Sequence, residues 1–159
     1  MAEETPIPTP TMPTPAEAEA APQAQPAAPD AGGFIWGTGR RKNSIARVRV
    51  KPGDGKFLIN KREVDNYFSE PQHRRNCYEA LEATQTRDKV DVHVSVHGGG
   101  ITGQAGAILL GVARALKSYD PTLEPILREN GYLTRDPREV ERKKYGQPGA
   151  RRRFQFSKR

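Results

Sequence analysis

Two stretches of the chain alternate between apolar and polar residues. Over residues 44–51, alanine and valine alternate with Arg47, Arg49 and Lys51. Over residues 90–97, four valines alternate with polar residues. Because successive side chains of a strand point to opposite faces, this period of two predicts two half-buried strands. The first of them has a basic face.

Shorter patterns add to the predicted sheet. Phe34, Ile35 and Trp36 indicate a strand that precedes a polar turn at 39–43. The sequence PGDG at 52–55 is typical of a turn. The sequence KFLIN at 56–60 then predicts a short strand that returns from that turn.

Helix signals occupy most of the remaining chain. The proline at position 71 suits the first turn of a helix. A nearly all-apolar helix follows three glycines at 98–100, which indicates burial. Asp136, Pro137 and Glu139 have the spacing of a helix cap. The predicted helical segments are 63–68, 71–84, 104–118, 121–129 and 137–145.

The first 33 residues differ in composition from the rest of the chain. They hold eight of the fourteen prolines and few bulky apolar residues. Such a segment buries too little surface to offset the entropy of ordering, so we expect it to be disordered. The predicted organisation is a disordered acidic extension at 1–33, a folded domain at 34–131 and a basic tail at 132–159.

Positive charge is concentrated toward the end of the chain. The formal net charge is +7, yet residues 1–39 contain five acids and no lysine or arginine. Residues 142–159 contain eight basic side chains and no acidic one. Such a block is typical of an interaction tail, and the expected partner is nucleic acid. A tail that only keeps the protein in solution is the simpler alternative.

The last nine residues, RRRFQFSKR, combine cations with aromatic rings. Arginine and lysine supply phosphate affinity, and Phe154 and Phe156 can stack on exposed bases. Eighteen extended residues span up to ~60 Å, so the tip can act far from the domain. Arg40, Arg41 and Lys42 form a second basic patch of the size of a phosphate site.

Cysteine content and hydropathy restrict the compartment. Cys77 is the single cysteine, so an internal disulfide is impossible, which fits a reducing environment. No apolar run approaches the ~20 residues of a membrane helix. The first residues lack the basic and apolar regions of a secretory signal. These features predict a cytosolic protein that contacts no membrane.

The sequence GGGITG at 98–103 fits the dinucleotide-binding fingerprint G-x-G-x-x-G. No second apolar strand follows the next helix, which argues against a cofactor. The alternatives are a tight turn that requires small residues and a phosphate site at the helix start. His93 and His97 lie ~13 Å apart on one strand, too far to share a metal. No nucleophile–base–acid set is evident, so we expect neither catalysis nor a cofactor.

Three long stretches carry a family resemblance. They are, in order, GTGRRKNSIARV, GGGITGQAGAILLGVARAL and LTRDPREVERKKYGQPGARRRFQFSKR. They closely resemble the ninth protein of the small ribosomal subunit, in its bacterial form, and the resemblance covers about residues 34–159. It implies an α+β domain with a four-stranded sheet, helices packed on it and a left-handed βαβ crossover. It further implies a cytoplasmic, structural ribosomal protein bound to small-subunit ribosomal RNA (rRNA) in the head, beside neighbouring head proteins.

The resemblance also assigns roles to residues. Ser157, Lys158 and Arg159 match a tail tip that reaches tRNA in the peptidyl site, where a cation favours tRNA without reading its sequence. Family tails often have proline where Phe154 stands, and residues 1–33 have no counterpart in the common short form. The residues expected to contact rRNA are Arg40, Arg41, Lys42, Arg142, Lys143, Lys144, Arg151, Arg152, Arg153, Phe154 and Phe156.

Overall fold

The computed structural model describes Asp30 and residues 32–158. The predicted disorder of the first 33 residues therefore falls almost entirely outside the described chain. The strands are β1 (Ile35–Arg41), β2 (Ser44–Pro52), β3 (Phe57–Ile59), β4 (Arg62–Glu63) and β5 (Val90–His97). The helices are α1 (Val64–Tyr67), α2 (Pro71–Ala83), α3 (Ile101–Tyr119) and α4 (Glu124–Glu129), with a 3₁₀ turn at Pro121–Leu123.

The strands form one mixed sheet in the order β1-β2-β5-β3-β4. β2 lies between β1 and β5 and is antiparallel to both, and the alternation predicted for β2 and β5 is confirmed. The segment at 56–60 does form a strand, and it runs antiparallel to β2, so the prediction of a short returning strand is confirmed. It does not lie beside β2. β3 pairs instead with β5, in parallel, because β5 occupies the free edge of β2.

The sheet has five strands where the resemblance implies four. The extra strand, β4, is only two residues long and pairs with β3 across a two-residue turn. Asn60 and Lys61 in that turn have φ angles of 47° and 66°, the left-handed backbone that such tight hairpins require. Asn60 exchanges two hydrogen bonds with the backbone of Val96, at 2.9 and 3.0 Å, and these tie the turn to β5. A turn without glycine gives no strong hairpin signal in the sequence.

A crossover joins the two parallel strands. The chain leaves β3, forms β4, α1 and α2, and returns as β5 beside β3. This connection has the form of a βαβ unit. The left-handed crossover that the resemblance implies stays a prediction, and it would be an exception to the usual right hand.

The helices cover one face of the sheet. α3 packs on β1 and β2, and α2 packs on α3. Buried residues on the strands alternate with exposed ones, so the apolar face of the sheet meets the helices. The predicted helices at 71–84, 104–118 and 121–129 are present, although α3 begins earlier, at Ile101. The largest fully buried side chains are Phe68, Ile59, Leu81, Ile108, Leu116 and Leu127.

The chain after α4 contains neither helix nor strand through Lys158. The predicted helix at 137–145 is therefore absent. Asp136 does accept a hydrogen bond from the Arg138 N–H, at 3.0 Å, but this contact makes a local turn rather than a helix cap. The segment also lacks an apolar face to bury, since Val140 is 87% exposed. Short helices need such packing to persist.

Candidate nucleic-acid interface

The β1–β2 hairpin presents the first predicted basic patch. Its turn is made by Lys42 and Asn43, and Lys42 has a φ of 51°. Arg40 and Lys42 are exposed, and neither makes an ion pair within the described residues. Arg41 differs, because its guanidinium is half-buried and paired with a carboxylate. Two of the three predicted cations are therefore open to a partner.

Residues 136–138, which we call the tail root, are bound to this hairpin by an ion pair. The Arg41 guanidinium donates to Asp136 Oδ2 at 3.1 Å, across 95 positions of sequence. Arg138 binds the same carboxylate through its side chain, at 2.9 Å from Nη2 to Oδ2. The hydrogen bonds from Arg138, with help from the Arg41 charge, hold the pKa of Asp136 well below its usual range. This carboxylate is ionised at neutral pH and bridges two guanidinium groups.

The hairpin and the tail root enclose a shallow, basic hollow. Its wall carries three cations, from Arg41, Lys42 and Arg138, and two carboxylates, from Asp136 and Glu139. The two predicted regions of rRNA contact, the hairpin and the tail, therefore begin side by side in the fold. Sequence alone does not predict this proximity.

Farther along, the tail folds back on itself. The Lys144 N–H donates to the Gly149 carbonyl at 3.5 Å, and Arg151 Nε donates to Glu141 Oε2 at 3.1 Å. This pairing joins positions ten residues apart and neutralises one of the predicted rRNA-contacting arginines. Arg142 and Lys143 lie in the resulting loop, and both are exposed.

The end of the described tail is open to solvent. Phe154 and Phe156 are 70% and 85% exposed, although aromatic side chains are usually sheltered in a folded chain. Phe154 lies beside the loop, where it lines a hollow with Tyr145. Arg159, predicted to contact tRNA, lies outside the described residues. The remaining predicted contact residues of the tail are also exposed, and they are Lys144, Arg152, Arg153, Ser157 and Lys158.

Two further groups of exposed residues were not predicted as binding sites. Tyr145, in the tail loop, is fully exposed. Trp36 lies on β1 directly opposite Arg49 of β2, and the Arg49 guanidinium is 5.4 Å from the centre of the indole ring. The alternation of β2 did reveal its basic face. The register that brings Trp36 to that face was not available from the sequence.

The glycine-rich motif makes a turn between β5 and α3. Gly98 and Gly99 have φ angles of 73° and 62°, and a Cβ on Gly99 would overlap the Ser44 hydroxyl. The side-chain amide of Gln104 donates to the Gly98 carbonyl at 3.1 Å and closes the turn. After α3 the described chain forms only a 3₁₀ turn and α4, so the second strand that a dinucleotide fold needs does not follow. A tight turn accounts for the glycines.

The pKa values of Cys77 and His93 are both shifted by burial. Burial raises the pKa of the Cys77 thiol to about 12, so this cysteine stays protonated and unreactive at neutral pH. Burial, with the nearby charges of Lys51 and Arg49, lowers the pKa of His93 below its usual value. Among the described residues, no three His, Cys, Asp or Glu side chains gather as a metal site would require.

A small α+β domain with a basic hairpin and a long, exposed, cationic tail has the organisation of a ribosomal protein. The family model for ribosomal protein S9/S16 matches residues 39–159, and the chain belongs to this family. It is accordingly a structural component of the small ribosomal subunit, a ribonucleoprotein that carries out translation. The match begins in the basic hairpin and includes the whole tail, which confirms the resemblance seen in the sequence. None of the described helices is long and apolar enough to span a membrane.

Proposed function

We propose that this protein binds the rRNA of the small-subunit head through its β1–β2 hairpin and its tail, and that the tip of the tail contacts tRNA in the peptidyl site. One observation carries the proposal. Every described cation from Arg142 to Lys158 is exposed, and the last carboxylate before them is Glu141. A surface of this kind attracts phosphates and has little negative charge that would repel a polyanion.

The hairpin and the tail root would form the first contact with rRNA. Arg40 and Lys42 are exposed next to the hollow that Arg138 lines. Because this contact lies at the junction of domain and tail, it would fix the direction in which the tail leaves the domain. Neighbouring head proteins would then meet the remaining surface of the domain.

The tail would provide the second contact with rRNA. Arg152 and Arg153 supply charge to the phosphates, while Phe154 and Phe156 supply rings for unpaired bases. Arg151 is paired with Glu141 in the free protein, so a phosphate must compete with that carboxylate for it. The loop cations Arg142, Lys143 and Lys144 add further sequence-independent affinity.

The tip would act at a distance from both rRNA contacts. From the fastened Asp136 to Lys158, a fully extended chain spans up to ~75 Å. That reach suits a tip formed by Ser157, Lys158 and Arg159 that meets the backbone of any tRNA. Contacts to phosphate position a partner without reading its bases, as a site open to every elongator tRNA requires.

Removal of the charge at the tip tests the tRNA contact. In subunits that carry Lys158→Gln with Arg159→Gln, peptidyl-site tRNA should bind about fivefold to thirtyfold more weakly. Two exposed charge contacts of about 0.5–1 kcal/mol each give this range. Filter binding of tRNA to purified, programmed subunits measures the change. Assembly should continue, since the rRNA contacts are intact.

A matched control removes two cations from the surface of the domain. Arg75→Gln with Lys89→Gln lowers the net charge equally, at exposed positions remote from the tail in sequence. We expect these subunits to bind tRNA as the wild type does. Equal tRNA affinity in tip-variant and wild-type subunits would refute the role of the tip and leave the rRNA contacts standing.

A further inference from the structure

The sheet has a second face, which no described helix covers. Residues on this face alternate with the buried residues that meet α3, and most of them are exposed. We name it the outer sheet face. It consists of Trp36, Thr38 and Arg40 on β1, Arg47, Arg49 and Lys51 on β2, and His93, Ser95 and His97 on β5.

Aromatic rings and cations form a cluster at one end of the outer sheet face. The Arg49 guanidinium lies 5.5 Å from the ring centre of Phe34 and 5.4 Å from that of Trp36. Phe34 also meets His93 edge-on, with 5.9 Å between ring centres. The indole N–H of Trp36 donates to Asp30 at 3.2 Å. These contacts hold a flat aromatic surface in place, and Trp36 is still 49% exposed.

The charge of the outer sheet face is positive. Arg47, Arg49 and Lys51 follow one another along β2 at every second residue, about 6.6 Å apart. Asp91 is the one carboxylate on β1, β2 and β5. Its oxygens already accept hydrogen bonds from two backbone N–H groups and lie 3.6 Å from the Lys51 ammonium. Asp30, bound to the Trp36 indole, is a second carboxylate at this face, so the face offers four cations (Arg40, Arg47, Arg49 and Lys51) against two carboxylates.

We propose that the outer sheet face binds a segment of small-subunit rRNA, with Arg47 and Arg49 on successive phosphates and an unpaired base stacked on the Trp36–Arg49 pair. This inference rests on the proposed function and adds a third RNA contact to the hairpin and the tail. A sheet that presents aromatic rings beside cations is a common platform for single-stranded RNA. Tryptophan and arginine are both common at protein–protein interfaces, but a row of three adjacent cations is unlike the charge-depleted centre of such an interface, so a protein partner fits less well.

Trp36 is the only tryptophan of the chain, so its fluorescence reports on this face without a label. The full-length protein is titrated with a transcript of the small-subunit rRNA head, and binding is followed in parallel by gel shift. We expect indole emission to fall and Trp36 to become protected from the neutral quencher acrylamide. Both changes should have the midpoint of the gel shift.

Variants then test the two parts of the contact. Trp36→Leu should weaken RNA affinity by about fivefold to a hundredfold, the range for loss of one base–aromatic stack. Arg49→Gln should lower the slope of log affinity against log salt by about 0.7–0.9, as expected for one lost phosphate contact. The control Arg75→Gln, exposed on α2, should change neither quantity. Thermal unfolding of each variant confirms that it is folded.

The outcomes separate this inference from the function on which it rests. If RNA binds while Trp36 emission, acrylamide access and the Trp36→Leu affinity stay unchanged, the outer sheet face is not an RNA site, although the proposed function stands. Oxidative footprinting of assembled subunits tests whether a protein, rather than RNA, covers the outer sheet face. If Trp36 is protected there but not in the complex with rRNA alone, a protein covers the face and our inference is wrong. A chain that binds no rRNA overturns both proposals.

Discussion

Asp91 has a structural role at the scale of a single residue. Its side chain is buried, and its Oδ1 atom accepts hydrogen bonds from the N–H groups of Asp54 and Lys56, each at 3.0 Å. A Cβ on Gly53 would overlap this carboxylate, so the loop between β2 and β3 wraps closely around it. The alternating pattern of β5 predicts an outward polar residue at this position. It does not predict that the residue shapes a loop 35 positions earlier in the chain.

Substitution of Asp91 should destabilise the domain in a graded way. Asp91→Ala removes the one oxygen that accepts both hydrogen bonds, and we expect a loss of about 1–3 kcal/mol in the free energy of unfolding. Asp91→Asn keeps a carbonyl oxygen for the two N–H groups and should lose less. Urea unfolding followed by circular dichroism at pH 7 measures both variants. An alanine variant as stable as the wild type would show that the loop does not depend on this side chain.

The pH dependence of the same variants has a definite sign. The hydrogen bonds from Lys56 and Asp54 lower the pKa of Asp91 from its ordinary 3.8 in the folded state. The stabilisation is therefore complete above about pH 4 and is lost as the pH falls through the lower, folded value. The wild type should lose stability over that acid range more steeply than Asp91→Asn does.

At the scale of elements, the closest contact is that of β1 with α3. A Cβ on Gly39 would overlap the Ala107 carbonyl and the Gly111 N–H, which are backbone atoms of the helix. Backbone atoms cannot rotate away as a side chain can. The helix thus lies against the strand at a distance that only glycine permits, and this contact places the basic hairpin at the end of β1.

A matched pair of serine substitutions tests this contact. Gly39→Ser should lower the free energy of unfolding by about 1–3 kcal/mol, the range for overpacking of a close interface. Gly100→Ser is the control, because a Cβ there meets nothing within 4 Å and its φ of −107° suits any residue. Gly100 is also the N-cap of α3, where serine is favoured. Equal stability of the two variants would mean that α3 moves away from β1 at little cost.

Elements with a strong local pattern could be predicted from the sequence. The alternation of β2 and β5 and the apolar content of α3 each require burial on a known face, and all three were found. The pairing of β3 with β5 could not be predicted, because it joins segments more than 30 residues apart. The absent helix at 137–145 shows the opposite case. Its capping signals are local, and no packing against the domain supports them.

The candidate site could likewise be predicted only in part. The cations of the hairpin and tail are visible in the sequence, because exposed charge depends little on the fold. Three pairings are not visible, since each joins residues that only the fold brings together. They are Arg41 with Asp136, Arg151 with Glu141, and Trp36 with Arg49.

At the scale of the whole molecule, a folded domain and an open tail meet at one ionic link. Tyr132 and Leu133 still pack against the core, and Asp136 then joins the tail to Arg41 of the hairpin. Beyond this link the described chain has no regular structure through Lys158. The position of the link means that the tail leaves the domain beside its basic hairpin. Both proposed rRNA contacts therefore start from one point on the surface.

Asp136→Asn should release the root of the tail and leave the domain intact. The neutral amide cannot hold two guanidinium groups as the carboxylate does, so backbone motion at residues 137–141 should increase. Heteronuclear NOE values for the amides of residues 138–141 in the free protein should fall, while the midpoint of global unfolding stays the same. Because the link is ionic but partly buried, 1 M salt, with a screening length of about 3 Å, should produce a smaller loss of the same kind in the wild type.

Glu141→Gln is the matched control for this release. It breaks the pairing with Arg151, so we expect greater motion in the loop at 142–150 while the amide of Arg138 keeps its wild-type NOE value. Wild-type NOE values at 138–141 in Asp136→Asn would show that contacts other than this carboxylate hold the root. If the expected difference is found, the direction of the tail is set before RNA binds. The tip then searches a smaller volume for its target than the tip of a freely jointed tail would.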